Sequence, residues 1–569
     1  MKVGAERMQT WNRRSFMLGT GLAAAAASVP ARAERERSHD DDVKALIDAE
    51  RKRIVDSMAG ADIPGVAVCL IHDGMPIWTE GFGVTDRNAG RSVGSDTIFS
   101  IQSTSKNFTA TAVMMAVQRG LLDLDKPVTA YLPDFKVNSR FEARPQEKMT
   151  LRLLLSNRAG FTHEAPVGNN YDPAFESFEA HVRSISQTWL RFPVGERYRY
   201  SNLGFDLAGY ILQLRMGMPF AECVRRLIFE PLGMKGSTVA TDEYASRSNR
   251  AVGHQKDHAT VPLKTPLIPS GGVYTSARDI AAYSMLHLNR GRLNGAPLLQ
   301  EALWDEMHGF PFGGDYSLGV IRKESRYGST DVRMLSHAGG GFGFGCVFQY
   351  CPIAGLAWVA MFNRPVSAAY GFGSKLIDEL LTRRFGAATP RLAADDLPVA
   401  VLPDAWLQKF AGRYVGRGGP AEIEVKDGSL VLRNGNSALP MRFMSPDEMF
   451  VAAPQGDAAM YRYMPATGFA PAHLECWFSE ASLDYNDSER DPPGPDKPEW
   501  QPYLGNYRLE RWGQPADEIL IRRRNGYLYL NDTRLTEHEP GLFFTAEGEA
   551  VDFRAAVPVY RSVRMTPGS

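Results

Sequence analysis

Cysteine is scarce in this chain, with five in 569 residues. That excludes a disulfide framework, although one pair can still close in an oxidising compartment. Long apolar runs are missing: no stretch reaches the ~18 residues of a membrane-spanning helix. An excess of one charge is missing too. Lys and Arg total 64 against 65 Asp and Glu, a formal net charge of −1, which excludes bulk-charge recruitment to nucleic acid and a polyacidic tail. No cofactor motif is present. His254 and His258 stand i, i+4 without the glutamate of His-Glu-x-x-His and read as a surface loop, not a zinc site. What remains is an ordinary soluble composition, 44% hydrophobic and 23% charged. The length suits about three domains of roughly 100–200 residues.

Residues 1–33 read as an address. Arg13-Arg14-Ser15-Phe16-Met17-Leu18 precedes an Ala-rich run from Leu22 to Val29 and a small-x-small site at Ala31-Arg32-Ala33. This resembles a Tat export signal peptide, which implies a periplasmic or secreted protein with no integral membrane segment after signal removal. Removal takes away five basic residues and one acid, leaving a mature net charge of −5.

The next stretch, 34–390, reads as one α/β domain. Residues 40–59 pattern as an amphipathic helix. Gly65–Ile71 and Pro76–Gly83 pattern as strands around the turn His72-Asp73-Gly74. A helix is expected from about Ser103 to Arg119, ending at Gly120. Residues 121–290 look mostly helical, strands return at 334–350 and 355–362, and a helix closes the domain at 368–385. The terminal helices are expected to cover a shared antiparallel sheet. Cys346 and Cys351 fall on opposite faces, as separate buried thiols.

Residues 386–403 read as a linker, and beyond it the pattern repeats. Phe410-Ala-Gly-Arg-Tyr414 is echoed by Tyr503-Leu-Gly-Asn-Tyr507, and Asp427-Gly428 by Asn525-Gly526. Asp-Gly and Asn-Gly between alternating apolar residues mark tight hairpins. Two small β modules, 404–490 and 497–569, are expected, each as a closed barrel.

Chemistry concentrates at three places. Ser103-Thr104-Ser105-Lys106 puts a hydroxyl and an amine on one face of a helix start, where backbone N–H groups favour developing negative charge. Serine needs such help, because its free hydroxyl is a poor nucleophile. Tyr200-Ser201-Asn202 precedes a helix starting near Leu203. His337-Ala338-Gly339 opens a glycine run to Gly345 that leads into a strand, so it reads as close approach of backbone to substrate rather than a phosphate loop. Gly90-Arg91-Ser92-Val93-Gly94 copies a nucleophile elbow but lacks the strand and helix that an elbow needs.

Ser103-x-x-Lys106, Tyr200-x-Asn202 and His337-x-Gly339, in that order, resemble the serine β-lactamase and penicillin-binding group. The tyrosine makes the chain similar to class C β-lactamases and their D-alanyl-D-alanine carboxypeptidase, D-aminopeptidase and esterase relatives. Phe229-Glu-Pro-Leu-Gly-Met234, Ser270-Gly-Gly272 and Asn363 support the resemblance, which spans about 45–385. It implies a sandwich of antiparallel sheet with covering helices and a helical lobe, followed by the two all-β modules. It implies attack by Ser103 and general-base action by Tyr200 with Lys106, tuned by their mutual field. Asn202 would hold Lys106 or the substrate amide. The oxyanion would be bound at Ser103 and at Gly339 and Gly340, the N–H donors being those of Ser103 and Gly340. No metal or cofactor is implied. The substrate would be a small molecule or a peptide, including peptidoglycan-derived ones, and D-aminopeptidase-like β modules would rim the site or build a homo-oligomer. His337 stands where class C enzymes carry lysine, which favours a peptidase or esterase with D-amino-acid preference. A β-lactamase and a non-hydrolytic penicillin-binding or cell-wall sensor protein remain the alternatives. Asn157-Arg158 replaces the relatives' usual His-Thr.

Overall fold

The computed structural model describes residues 28–568 apart from 89, 175–176, 256–260, 265, 390–399, 417–420, 435–436, 446–447, 453–457, 467–471, 476–479 and 484–493. The proposed signal residues 1–27, His258 and most of the expected linker lie outside the described residues. At the centre is a seven-stranded antiparallel sheet, in the order 388–389, 321–327, 330–341, 344–351, 356–362, 65–72, 75–83. Its inner strands Gly65–His72 and Leu356–Phe362 are apolar on both faces because both faces are covered. Ala67, Cys69 and Ile71 enter the core beneath the helical lobe, while Val66, Val68 and Leu70 enter the core beneath the terminal helices. This is the period-2 alternation of a strand sandwiched between layers. Cys346 and Cys351 divide between the same two cores, and both are free thiols.

The terminal-helix layer consists of Ser28–Ala61, Ser367–Tyr370 and Ser374–Phe385. The first begins well before residue 40, since its Ala-, Arg- and Glu-rich start favours helix. The expected single helix 368–385 is broken at Gly373, which takes φ 79° and whose added Cβ would strike the Trp358 ring. The lobe between 121 and 290 is less helical than its pattern suggests. Longer helices at Leu203–Met216 and Ala277–Leu288 are joined by short helices and irregular, proline- and glycine-rich stretches. Strand Ile321–Tyr327 was not expected; only its last residue, Tyr327, is buried, so no apolar alternation marks it.

The two C-terminal modules start alike. A short helix (Asp404–Phe410) or 3-10 turn (Pro498–Tyr503) leads to a glycine at φ 150°, Gly412 or Gly505. A tyrosine hydroxyl then donates back to the carbonyl four residues earlier, Tyr414 to Phe410 at 2.9 Å and Tyr507 to Tyr503 at 3.0 Å. Asp427-Gly428 and Asn525-Gly526 all take positive φ, as a tight I′ hairpin turn requires. The first module is a closed barrel of eight strands between Gly412 and Leu483. The second has nine strands in one sheet, with Thr533–Arg534 at one end and Thr536–Glu539 at the other. Those end strands are consecutive in the chain, so the sheet curls round to bring them together. Leu535, the one residue between them, donates its N–H to Leu528 O at 2.8 Å, so the single run 533–539 pairs with Tyr527–Leu530 through its first half and with Leu542–Phe544 through its second.

Candidate active site

Ser103 lies in a single 3-10 turn, Gln102–Thr104, and Lys106 in the first turn of the following helix, Ser105–Gln118. The junction is tightly held. Gln102 takes φ 49°, its side chain donates to Ser100 Oγ at 2.7 Å, and Ser105 Oγ accepts the Val273 N–H at 2.9 Å. Lys106 is fully buried, and its Nζ meets three acceptors: Ser103 Oγ at 3.2 Å, Asn202 Oδ1 at 2.7 Å and the Ser270 carbonyl at 2.9 Å. These match the three protons of an ammonium. Burial nevertheless pulls the Lys106 pKa down to about 7, with the charges of Asp206 and Glu164 opposing part of the fall. A group so tuned exchanges a proton near neutral pH.

Tyr200 lies over the same amine, with Nζ 4.8 Å from its ring centroid, and its hydroxyl hydrogen-bonds to Ser103. Burial pushes the phenol well above its usual range, an effect the Ser103 hydrogen bond only partly offsets. The expected mutual tuning of Tyr200 and Lys106 is therefore corrected. Desolvation dominates at both, favouring neutral amine and neutral phenol.

His337 closes the third side, its ring centroid 6.4 Å from that of Tyr200. Its Nδ1 donates to the Ala338 carbonyl at 2.8 Å, which leaves Nε2 to accept the Tyr316 hydroxyl at 3.1 Å. Burial and the Lys106 charge hold the His337 pKa down to about 3, so the imidazole is neutral. Gly339 and Gly340 are required by space: an added Cβ would strike the Ile101 carbonyl at the first and the Tyr370 hydroxyl at the second. Tyr370 donates to the Gly339 carbonyl at 3.0 Å. The Gly340 N–H, across the same planar trans peptide, points the opposite way.

The structure thus brings Ser103, Lys106, Tyr200, Asn202, His337, Gly339 and Gly340 together, and adds residues that the motifs did not name. Tyr316 donates its hydroxyl to the free His337 Nε2. Asn157, at φ 57°, brackets Tyr200: its carbonyl accepts the Arg199 N–H at 2.9 Å and its Oδ1 accepts the Ser201 N–H at 3.1 Å. Asp206, fully buried, accepts the Ser270 N–H at 3.0 Å and so anchors the residue whose carbonyl meets Lys106. Its other oxygen meets His181 Nε2 at 3.2 Å; burial opposes the imidazolium, but Asp206 and two carbonyls outweigh it and raise the His181 pKa.

Among the described residues no group of three or more His, Cys, Asp or Glu is arranged to hold a metal, and no helix is long and apolar enough to cross a membrane. His254 is no idle loop residue, since its Nδ1 meets the Asn363 carbonyl at 3.2 Å. Ser92 lies on an isolated bridge to Val84, away from any elbow.

A family model described as Beta-lactamase matches residues 51–381. The chain is 28% identical over 345 residues to the unguisins hydrolase ungD' of Aspergillus campestris, covering 57% of this chain and 63% of that protein. It is 29% identical over 182 residues to esterase EstB of Burkholderia gladioli, covering 30% of this chain and 46% of that protein. The chain therefore spans under two thirds of these relatives. The octameric penicillin-binding protein homologue of Pyrococcus abyssi has a similar fold, with TM-score 0.51 and 21% identity, over 76% of this chain and 99% of that one.

Proposed function

This chain belongs to the Beta-lactamase family, and from that premise we propose that it is an exported serine hydrolase cleaving an amide or ester through an acyl-enzyme on Ser103. The observation that carries the proposal is a fully buried Lys106 amine 3.2 Å from Ser103 Oγ, with its pKa near 7. In this reading neutral Lys106, not Tyr200, takes the Ser103 proton as Oγ bonds to the substrate carbonyl carbon. The N–H groups of Ser103 and Gly340 receive the oxyanion, a feature worth about 3 kcal/mol per donor. As the tetrahedral adduct collapses, the proton on Lys106 passes through the Tyr200 hydroxyl to the leaving group. Water then attacks the acyl carbon, gives its proton back along the same route, and releases Ser103.

A peptidase or esterase with D-amino-acid preference is the finer reading. It is supported by the neutral His337, which presents no permanent cation to a β-lactam carboxylate. Export is supported by the twin arginine and the small-x-small site at 31–33. Fluorophosphonate labelling with peptide mapping tests the nucleophile: label on Ser103, absent from Ser103→Ala, is expected, and label elsewhere refutes it. The kcat/KM profile should rise with pH through a midpoint near 7, as the Lys106 ammonium loses its proton. Turnover of D-amino-acid amides or short esters, against cephalosporins, separates the finer reading from a β-lactamase. A stable adduct without turnover identifies a sensor.

A further inference from the structure

The segment Thr162–Glu164 touches the site twice. The Thr162 carbonyl accepts the Ser201 hydroxyl at 2.6 Å, and Ser201 stands between Tyr200 and Asn202. Ser201 Oγ also accepts the Leu203 N–H at 3.1 Å, which fixes the start of the Asn202 helix. The His163 ring lies along that of Tyr200, centroids 5.8 Å apart at 29°. Glu164 is buried and held by His163 Nδ1 at 2.7 Å and Asn170 Nδ2 at 2.8 Å.

The Thr162 side chain belongs to a different contact. Its hydroxyl donates at 2.6 Å to Glu549 Oε2, in the second β module and 387 positions along the chain. Glu549 is buried, and its other oxygen meets Arg191 Nε at 3.2 Å and Arg561 Nε at 3.6 Å. Arg191 also donates to the Glu547 carbonyl at 3.0 Å, and an added Cβ on Gly548 would strike the Arg191 carbonyl. A buried carboxylate persists only when its charge and lone pairs are met. Two guanidiniums and a hydroxyl meet them here, so Glu549 has little freedom and neither does Thr162. The module's grip at Tyr171 differs. Asp517 accepts the Tyr171 hydroxyl at 2.9 Å and the Trp512 N–H donates to the Tyr171 carbonyl at 2.8 Å, without touching residues 162–164.

We propose that Glu549 is a positioning residue for the Ser103 reaction: through Thr162 and Ser201, the second β module completes the catalytic site by holding Tyr200 and Asn202 in place. The proposal rests on the acyl-enzyme reading above. It makes the module part of the reacting unit rather than an appended rim.

The test uses the full-length protein, a short p-nitrophenyl ester and fluorophosphonate labelling of Ser103. Thr162→Val should lower both kcat and the labelling rate about 10- to 100-fold, the range of one charge-assisted hydrogen bond, with KM within about twofold. Thr162→Ser, which keeps the hydroxyl, should stay within about twofold of the parent. Glu549→Ala should lose as much as Thr162→Val, and the double variant no more than the worse single one, because both remove one contact. Asp517→Asn should leave kcat within about twofold. Thr162→Val, which removes no charge, decides the matter where Glu549→Ala does not fold. Parental kcat in Thr162→Val, failure of the serine to rescue, additive losses, or an equal loss in Asp517→Asn overturns the proposal. Turnover and label surviving in Ser103→Ala would instead sink the acyl-enzyme reading, whatever the Thr162 series shows.

Discussion

The two β modules begin with the same motif and end in different situations. Each enters through a glycine at φ 150°, ties a tyrosine hydroxyl back four residues and turns a hairpin on two positive-φ residues. The first closes into a barrel. Its Arg462 approaches Arg158 of the catalytic domain, a like-charge neighbour that adds to burial in lowering the Arg158 pKa. The second brings the two ends of its sheet together at Leu535 and docks. Glu549, Asp517 and Phe544 meet Thr162, Tyr171 and Trp189, and Trp512 packs on Phe342, just past the Gly339–Gly341 run. A repeat thus transmits a local design, while each copy's surroundings decide what that design does.

Four measurements separate or unite the copies. The largest contrast is in the matched tryptophans. Trp500 is 3% exposed, packs on Phe543 and donates to Glu537, whereas Trp406 is 41% exposed. In chemical denaturation Trp500→Ala should cost about 3–5 kcal/mol and Trp406→Ala under about 1 kcal/mol. Equal costs would erase the distinction.

The hairpin glycines come next. Gly428→Ala meets open space at φ 72°, a cost of about 1–2 kcal/mol from the left-handed backbone alone. Gly526→Ala carries the same backbone cost, and its Cβ would also strike the Gly494 backbone, adding about 1–3 kcal/mol.

Acid should then release the docked copy. Burial alone would raise the Glu549 pKa, but Arg191 and Arg561 outweigh it and hold it below the ordinary carboxylate value. The stabilisation it contributes is therefore full above the unfolded pKa of about 4.3 and is lost as pH falls through the folded value. Hydrogen-exchange protection around 545–551, taken relative to the intrinsic rate at each pH, should fall as acid protonates Glu549, and Glu549→Gln should flatten that response.

The smallest effect is a likeness. Tyr414→Phe and Tyr507→Phe each remove one hydroxyl-to-carbonyl bond and should each cost about 1 kcal/mol in the same denaturation assay. A large inequality would show that the shared entry motif serves the copies differently.

What could be read from the chain was local. The hairpin turns depend on two adjacent residues, and the Ser103–Lys106 pair on a single helical turn. The strands 65–72 and 356–362 announce themselves because both faces are apolar. Strand Ile321–Tyr327 gives no such signal, since only Tyr327 is buried. Tyr316 carries no motif; it matters because folding sets its hydroxyl 3.1 Å from His337 Nε2.

Sequence by itself determined the family resemblance, the order of the three motifs and the doubling of the β unit, because these reside in short spacings and steric demands of single residues. Only the tertiary structure decided the protonation states, since Lys106, Tyr200 and His337 are shifted chiefly by how completely the fold removes them from water. It also decided which β copy grips Thr162. A carboxylate at 549 finds a threonine at 162 through packing of distant segments, and no spacing along the chain encodes that meeting.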